Sequence, residues 1–428
     1  MDEKRLPPGL CPVDEVESQA APGTHNVKRC SPLIERSLAM GDLPWKIPNF
    51  PKEEGERRHR AIRELMEFRG IDCLIIAGHE GNYGARTANF RYVSNYAMWF
   101  DDEYIVFPLD GEPLAILFNS AHYDWAKRIC WIPIKTRGIS GLRDYVSDIA
   151  TAVKDRGYEE GTLGIVDPET MPASVYSGLL SKLPKAKFVN AKDLLGQVRM
   201  IKSPAEQEFM EKAAECADKG FEAMKAIAKP GVPDRDVWNA MESAMTAHGA
   251  EPPSFSLYAS GPWERKGINF PHGPVDRLLE KGDLVLNEIC PSYGGYWAQL
   301  CRPISLGKPT DVFLKAFDVS VEMYNKTVEL LRPGTIYGEI DAKMREIASK
   351  HGYDPTNAFS LQHVGLDIIE RIPKRTVLRP GMTIMNHPWI EYPPKKAEMG
   401  GHIIGDTYIV TEGKPKSLTK LPFELTVL

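Results

Sequence analysis

The spacing of apolar and polar positions divides the chain into stretches of different period. Residues 1–49 show none; Pro, Gly and charged residues are scattered through them, and they are expected to form an irregular arm. From Glu53 to Arg69 apolar residues fall at Ile62, Leu65, Met66 and Phe68, the spacing of one helix face. Asp72–Ala77, Tyr104–Pro108, Leu114–Phe118 and Thr162–Val166 are apolar runs of strand length, with a helical stretch at Asp144–Lys154. Strands alternating with helices predict an α/β domain over residues 50–190.

A longer helix follows. Ser203 suits the N-cap, Pro204 the first helical position and Glu206 the acid of a capping box. Phe209, Ala213, Cys216, Ala217, Phe221 and Met224 make one apolar stripe, which ends before Pro230-Gly231. Beyond it the pattern repeats: KPGVPDRDVWNAMESAMTAHG from Lys229 and RPGTIYGEIDAKMREIASKHG from Arg332 each run basic-Pro-Gly, helix, His-Gly. Each repeat follows a long helix and precedes strand-like sequence. Residues 191–428 are therefore expected to form two related α+β halves, helices outside a shared sheet and a cleft between the halves. His248 and His351 read as ordinary helix-end residues.

Composition narrows the class without naming a chemistry. Of 428 residues, 43% are hydrophobic and 26% charged, as in soluble globular proteins. A net charge of −5 gives no reason to expect nucleic acid as a partner. No apolar run approaches the roughly 20 residues of a membrane span. The start, MDEKRLPPGLCPVDE, lacks the apolar core of a signal peptide, and the seven cysteines contain no CxxC pair, so a cytoplasmic protein with reduced thiols is expected.

The candidate chemistry gathers on KGDLVLNEICPSYGGYWAQLCR, Lys281–Arg302, which reads as two strands around a Gly-Gly corner. Glu288 and Gln299 are placed to reach one pocket. A carboxylate on a buried strand needs a cation or hydrogen-bond donors, or its pKa rises; Arg302 is one possible partner.

These segments together resemble the pita-bread family of creatinases, aminopeptidases P and prolidases, the M24-like peptidases. The resemblance covers roughly Phe50 to Val427 and rests on NFRYVSNY, RMIKSPAEQEFM, FPHGPVDRLLEKGD, GGYWAQLCR, QHVGLD, LRPGMTIMNHPW and GGHIIGDTYIVTEG. It implies an α+β fold: a duplicated pita-bread catalytic domain behind a creatinase-type N-terminal α/β domain. Creatinase and the dimethylsulfoniopropionate lyase of this fold look closest in layout.

Metallo members of the family hold two ions with Asp, Asp, His, Glu and Glu. Those positions fall on Glu288, Gln299, Gln362, His387 and Gly405, with His363 one place beyond Gln362. One carboxylate, two amides, an imidazole and a glycine are a poor set for two divalent ions. The resemblance thus implies no metal and no cofactor; a single ion on Glu288 and His387, helped by His363 or His402, is the alternative.

In the creatinase manner, His272 of PHGPV becomes the expected general acid/base, with Glu288 and His387 as its catalytic companions. Gln299, Gln362, His363, Tyr296, Trp297 and Trp389 are expected to contact substrate. Arg91, Trp99 and Phe100, with Asp101, would come from the N-terminal domain of a homodimer partner. Cys301 stands where creatinase has a glutamate, which argues against creatine, and is itself a candidate nucleophile. The expected function is metal-independent hydrolysis of a non-peptide C–N bond in a small organic molecule. The alternatives are a lyase or decarboxylase acting on a small sulfonium or aromatic carboxylate, and a non-catalytic binding protein; peptidase activity ranks behind these.

Overall fold

Helix α1 (Lys52–Arg69) buries Glu54, Arg58, Ile62 and Met66, four residues apart along one stripe, and stops at Gly70, whose φ of 63° is left-handed. The computed structural model describes residues 49–79, 88–97, 102–118, 120, 123–136, 144–262, 273–355, 359–391, 400–402 and 404–428. Strand β1 (Cys73–His79) then explains the first sheet. Leu74 and Ile76 enter one core with Ile105 and Phe107 of β2 (Asp102–Pro108). Cys73 and Ile75 enter another with Tyr104 and Val106. Side chains alternate across a strand, so an unbroken apolar run marks a strand covered on both faces.

Helices α2 (Ala88–Ser94) and α3 (Tyr123–Ile129), and strands β3 (Leu114–Leu117) and β4 (Ile134–Thr136), follow. So do α4 (Tyr145–Lys154), β5 (Thr162–Val166), α5 (Ala173–Lys182), β6 (Lys187–Asn190) and α6 (Lys192–Arg199). The sheet order is β4-β3-β2-β1-β5-β6; β1 runs antiparallel to β2 and parallel to β5.

The second half follows the sequence repeat. Helices α7 (Pro204–Ile227) and α8 (Asp234–Ala247) lead into the antiparallel pair β7 (Leu257–Gly261) and β8 (Leu284–Glu288). The short strands β9 (Ser292–Tyr293), β10 (Tyr296–Trp297), β11 (Leu300–Cys301) and β12 (Ile304–Ser305) come next. Helices α9 (Asp311–Val328) and α10 (Tyr337–Lys350) then lead into a second antiparallel pair, β13 (Phe359–His363) and β14 (Thr383–Glu391). Strands β15 (Gly400–His402), β16 (Gly405–Ile409), β17 (Lys416–Ser417) and β18 (Thr426–Val427) close the chain. One sheet reads β18-β12-β8-β7 and the other β11-β16-β14-β13, so each duplicated unit contributes an antiparallel strand pair to a sheet.

The expected caps form. Ser203 Oγ accepts from Glu206 N–H at 3.2 Å, and Glu206 Oε2 accepts from Ser203 N–H at 2.7 Å. His248 and His351 end α8 and α10, each before a glycine with positive φ. Among the described residues no helix is long and apolar enough to cross a membrane.

Candidate active site

The hairpin from Glu288 to Arg302 is built by its register. Ile289 bridges Leu300, which sets Glu288 opposite Cys301 and Cys290 opposite Gln299. Ile289 and Leu300 pack with Val285 and Ile304 in a core shared with α7 and α8, so Glu288, Cys290, Gln299 and Cys301 point to the other face. That face continues across the sheet. Cys301 pairs with Gly405, Met385 with Thr407, and Gln362 with Met385, which aligns Gln299, Gly405, His387 and Gln362 on one side.

Gln299 and Glu288 make the central contact: Nε2–H of Gln299 donates to Glu288 Oε2 at 2.8 Å, both side chains buried. The Gln299 backbone is tied on both sides to Thr407, whose Oγ accepts from Gln299 N–H at 2.8 Å and donates to its carbonyl at 3.1 Å. His387 is buried beside Gly405, where a Cβ would stand 2.5 Å from the Cβ of His387. The Cβ and Cα of residue 387, with the Asn386 carbonyl, thus fill space that a residue-405 side chain would need. Burial raises the thiol pKa of Cys301 well above its usual value, with Glu288 adding to it; such a thiol is no nucleophile.

Arg302 does not serve Glu288. Its Nη2 holds Asp406 at 2.8 and 3.1 Å, Nη1 reaches the carbonyls of Cys301 and Gly405, and Nε reaches that of Pro422. Tyr324 and Thr419 also donate to Asp406. This buried cluster fixes the strands under the site. Asp406, next to Gly405 in GDT, had no distinguishing local signal, because its partner lies on another strand.

Several expected substrate contacts sit elsewhere. Tyr296 donates to Glu206 at 2.6 Å and accepts from Arg58 at 3.0 Å, so its ring locks the hairpin to α1 and α7. Trp297 is buried, its backbone N–H donating to the carbonyl of Gly365 at 2.8 Å. Arg91 pairs with Glu251 of its own chain at 2.8 and 2.9 Å and lies against Gly295, where a Cβ would be 2.6 Å from its Nη1. Gly295 has φ 83°, so glycine is needed there twice over. His363 faces away from Gln362, towards the buried Lys202–Glu370 ion pair. Burial and the Lys202 charge push its pKa down to about 3. Trp389 is half-buried further along β14, opposite Phe359 and His402. His272, Trp99 and Phe100 lie outside the described residues, as does the side chain of His402.

Two family models match the chain: "Metallopeptidase family M24" over residues 208–412 and "Creatinase/Prolidase N-terminal domain" over 58–201. The Xaa-Pro dipeptidase of Pyrococcus horikoshii is 31% identical over 86% of this chain and 97% of its own length. A creatinase of Bacillus sp. is 26% identical over 91% and 96%. The crystal structure of the Pyrococcus horikoshii prolidase superposes with a TM-score of 0.72 at 28% identity, covering 86% of this chain and 99% of that one.

These likenesses correct the expected function. Relatives above 30% identity along nearly their whole length are named as dipeptidases, which overturns the metal-independent non-peptide hydrolase. The lyase or decarboxylase and the non-catalytic binder fall with it. The expectation of no cofactor is overturned too, since the matched family is one of metallopeptidases. The residues at hand do not fit the family's ion pair, however. Gln299 turns an N–H towards Glu288, position 405 has no room for a side chain, and His363 faces away. Among the described residues no group of three His, Cys, Asp or Glu could hold a metal ion. What the face does offer is a buried carboxylate and a buried imidazole, residue types that move protons, with β11 and β16 between them and amides to orient a ligand.

Proposed function

The chain belongs to the M24 metallopeptidase family, and on that premise we propose that it hydrolyses the amide bond of a small dipeptide-like substrate, Xaa-Pro dipeptides first among them. The observation that carries this reading is the likeness to Xaa-Pro dipeptidases over 97% of their length, with both domains of that architecture present. In the reaction, water adds to the amide carbonyl and gives up a proton. The C–N bond then breaks and the leaving nitrogen takes a proton. Glu288 and His387 are the described side chains suited to carry those protons, with His272 the further candidate. Gln299, Gln362 and Trp389 line the same face or its edge.

Purified protein incubated with a panel of Xaa-Pro dipeptides, with and without added divalent ions, tests this by mass spectrometry. Release of free proline is expected. Intact dipeptides under every condition would overturn the reading.

A further inference from the structure

Gln299 has one amide atom committed and one left over. Nε2 donates to Glu288 Oε2, while Oε1 has no hydrogen-bond partner among the described residues, in a side chain only 2% exposed. The amide sets its NH2 end, the donor, against a Glu288 carboxyl oxygen, and its other end is a carbonyl, which only accepts. The carbonyl end is therefore fixed as an acceptor. Its backbone is held on both sides by Thr407, so the group is pre-organised. It lies on the face that carries His387 and Gln362.

We propose that Gln299 is the residue that recognises the substrate's amino group, accepting a hydrogen bond from it at Oε1. This rests on the dipeptide reading above and sharpens it. In an Xaa-Pro dipeptide the peptide nitrogen belongs to the proline ring and bears no hydrogen. With an aliphatic Xaa, the free amino terminus is the only N–H donor the molecule has. A buried acceptor without a partner is satisfied by that group and by no other part of the ligand. The site then selects free dipeptides, and a ligand lacking the amine leaves Oε1 unpaired.

Gly-Pro and N-acetylproline test this, because the second is the first without its amino group. Wild-type protein is expected to prefer Gly-Pro by about tenfold or more, read as kcat/KM where turnover occurs and as Kd by calorimetry where it does not. Gln299→Met keeps the length and removes the acceptor, and should bring the ratio close to one. Gln299→Leu serves if the first variant misfolds, and the wild-type ratio needs no variant. Wild-type protein that binds both ligands equally overturns the proposal alone, as does Gln299→Met with the preference intact. Wild-type protein that neither binds nor cleaves either ligand overturns the dipeptide reading and the proposal together.

Discussion

Gly405 lies so close to His387 that a Cβ at 405 would stand 2.5 Å from the His387 Cβ and 2.9 Å from its Cα. The Asn386 carbonyl oxygen would be 3.0 Å away, so two of the three obstacles are backbone and no rotamer change relieves them. Gly405→Ala is expected to cost about 1–3 kcal/mol of stability, by overpacking. Gly405→Glu, which restores the family's carboxylate, should cost more. Urea unfolding measures both. A Gly405→Glu protein as stable as wild type would show that His387 and a side chain at 405 can coexist.

Arg302 and Asp406 are both nearly fully buried and meet at 2.8 Å. Removing one charge leaves the other stranded in a medium that solvates it poorly. Asp406→Asn is therefore expected to destabilise by about 3–5 kcal/mol, in the range for broken buried pairs. Pairing Arg302→Met with Asp406→Leu removes both charges, and the double variant should lose less than the two single losses added. Additive losses in a double-mutant cycle would mean the two groups act independently.

Glu370 accepts from Lys202 at 2.5 Å and from Arg199 at 2.7 Å. Burial alone would raise its pKa, but these two cations reverse that and bring it down to about 2, against 4.5 for a free glutamate. Its contribution to stability is thus complete above about pH 4.5 and lost as pH falls towards 2. Asp367, on the same arginine, runs the other way: burial lifts it to about 6, so protonation below that pH favours the folded state through this group. The stability gap between wild type and Glu370→Gln isolates the glutamate. It should be on the order of 1–3 kcal/mol at pH 7 and shrink between pH 4.5 and 2.5, followed by denaturant midpoints. A gap that stays constant with pH would remove Glu370 as the source.

What the sequence determined was what neighbours in the chain decide. The capping box at Ser203, the His-Gly stops of α8 and α10 and the duplicated helix-pair-then-strand-pair order all arise from contacts a few residues long, and all were legible. Gln362 and His363 were both expected in the site, but adjacent residues of β13 face opposite ways once the strand is formed. Only the tertiary structure decided which faces inward, because that depends on pairing with β14 and on Lys202, far away in sequence. The same holds for Arg91, closed on Glu251 of its own chain, and for Tyr296, drawn to Arg58 and Glu206. Arg302 met Asp406, 104 residues on, where its nearest acid on the hairpin was Glu288. Long-range partners are set by strand register and helix packing, and a single chain read in order carries neither.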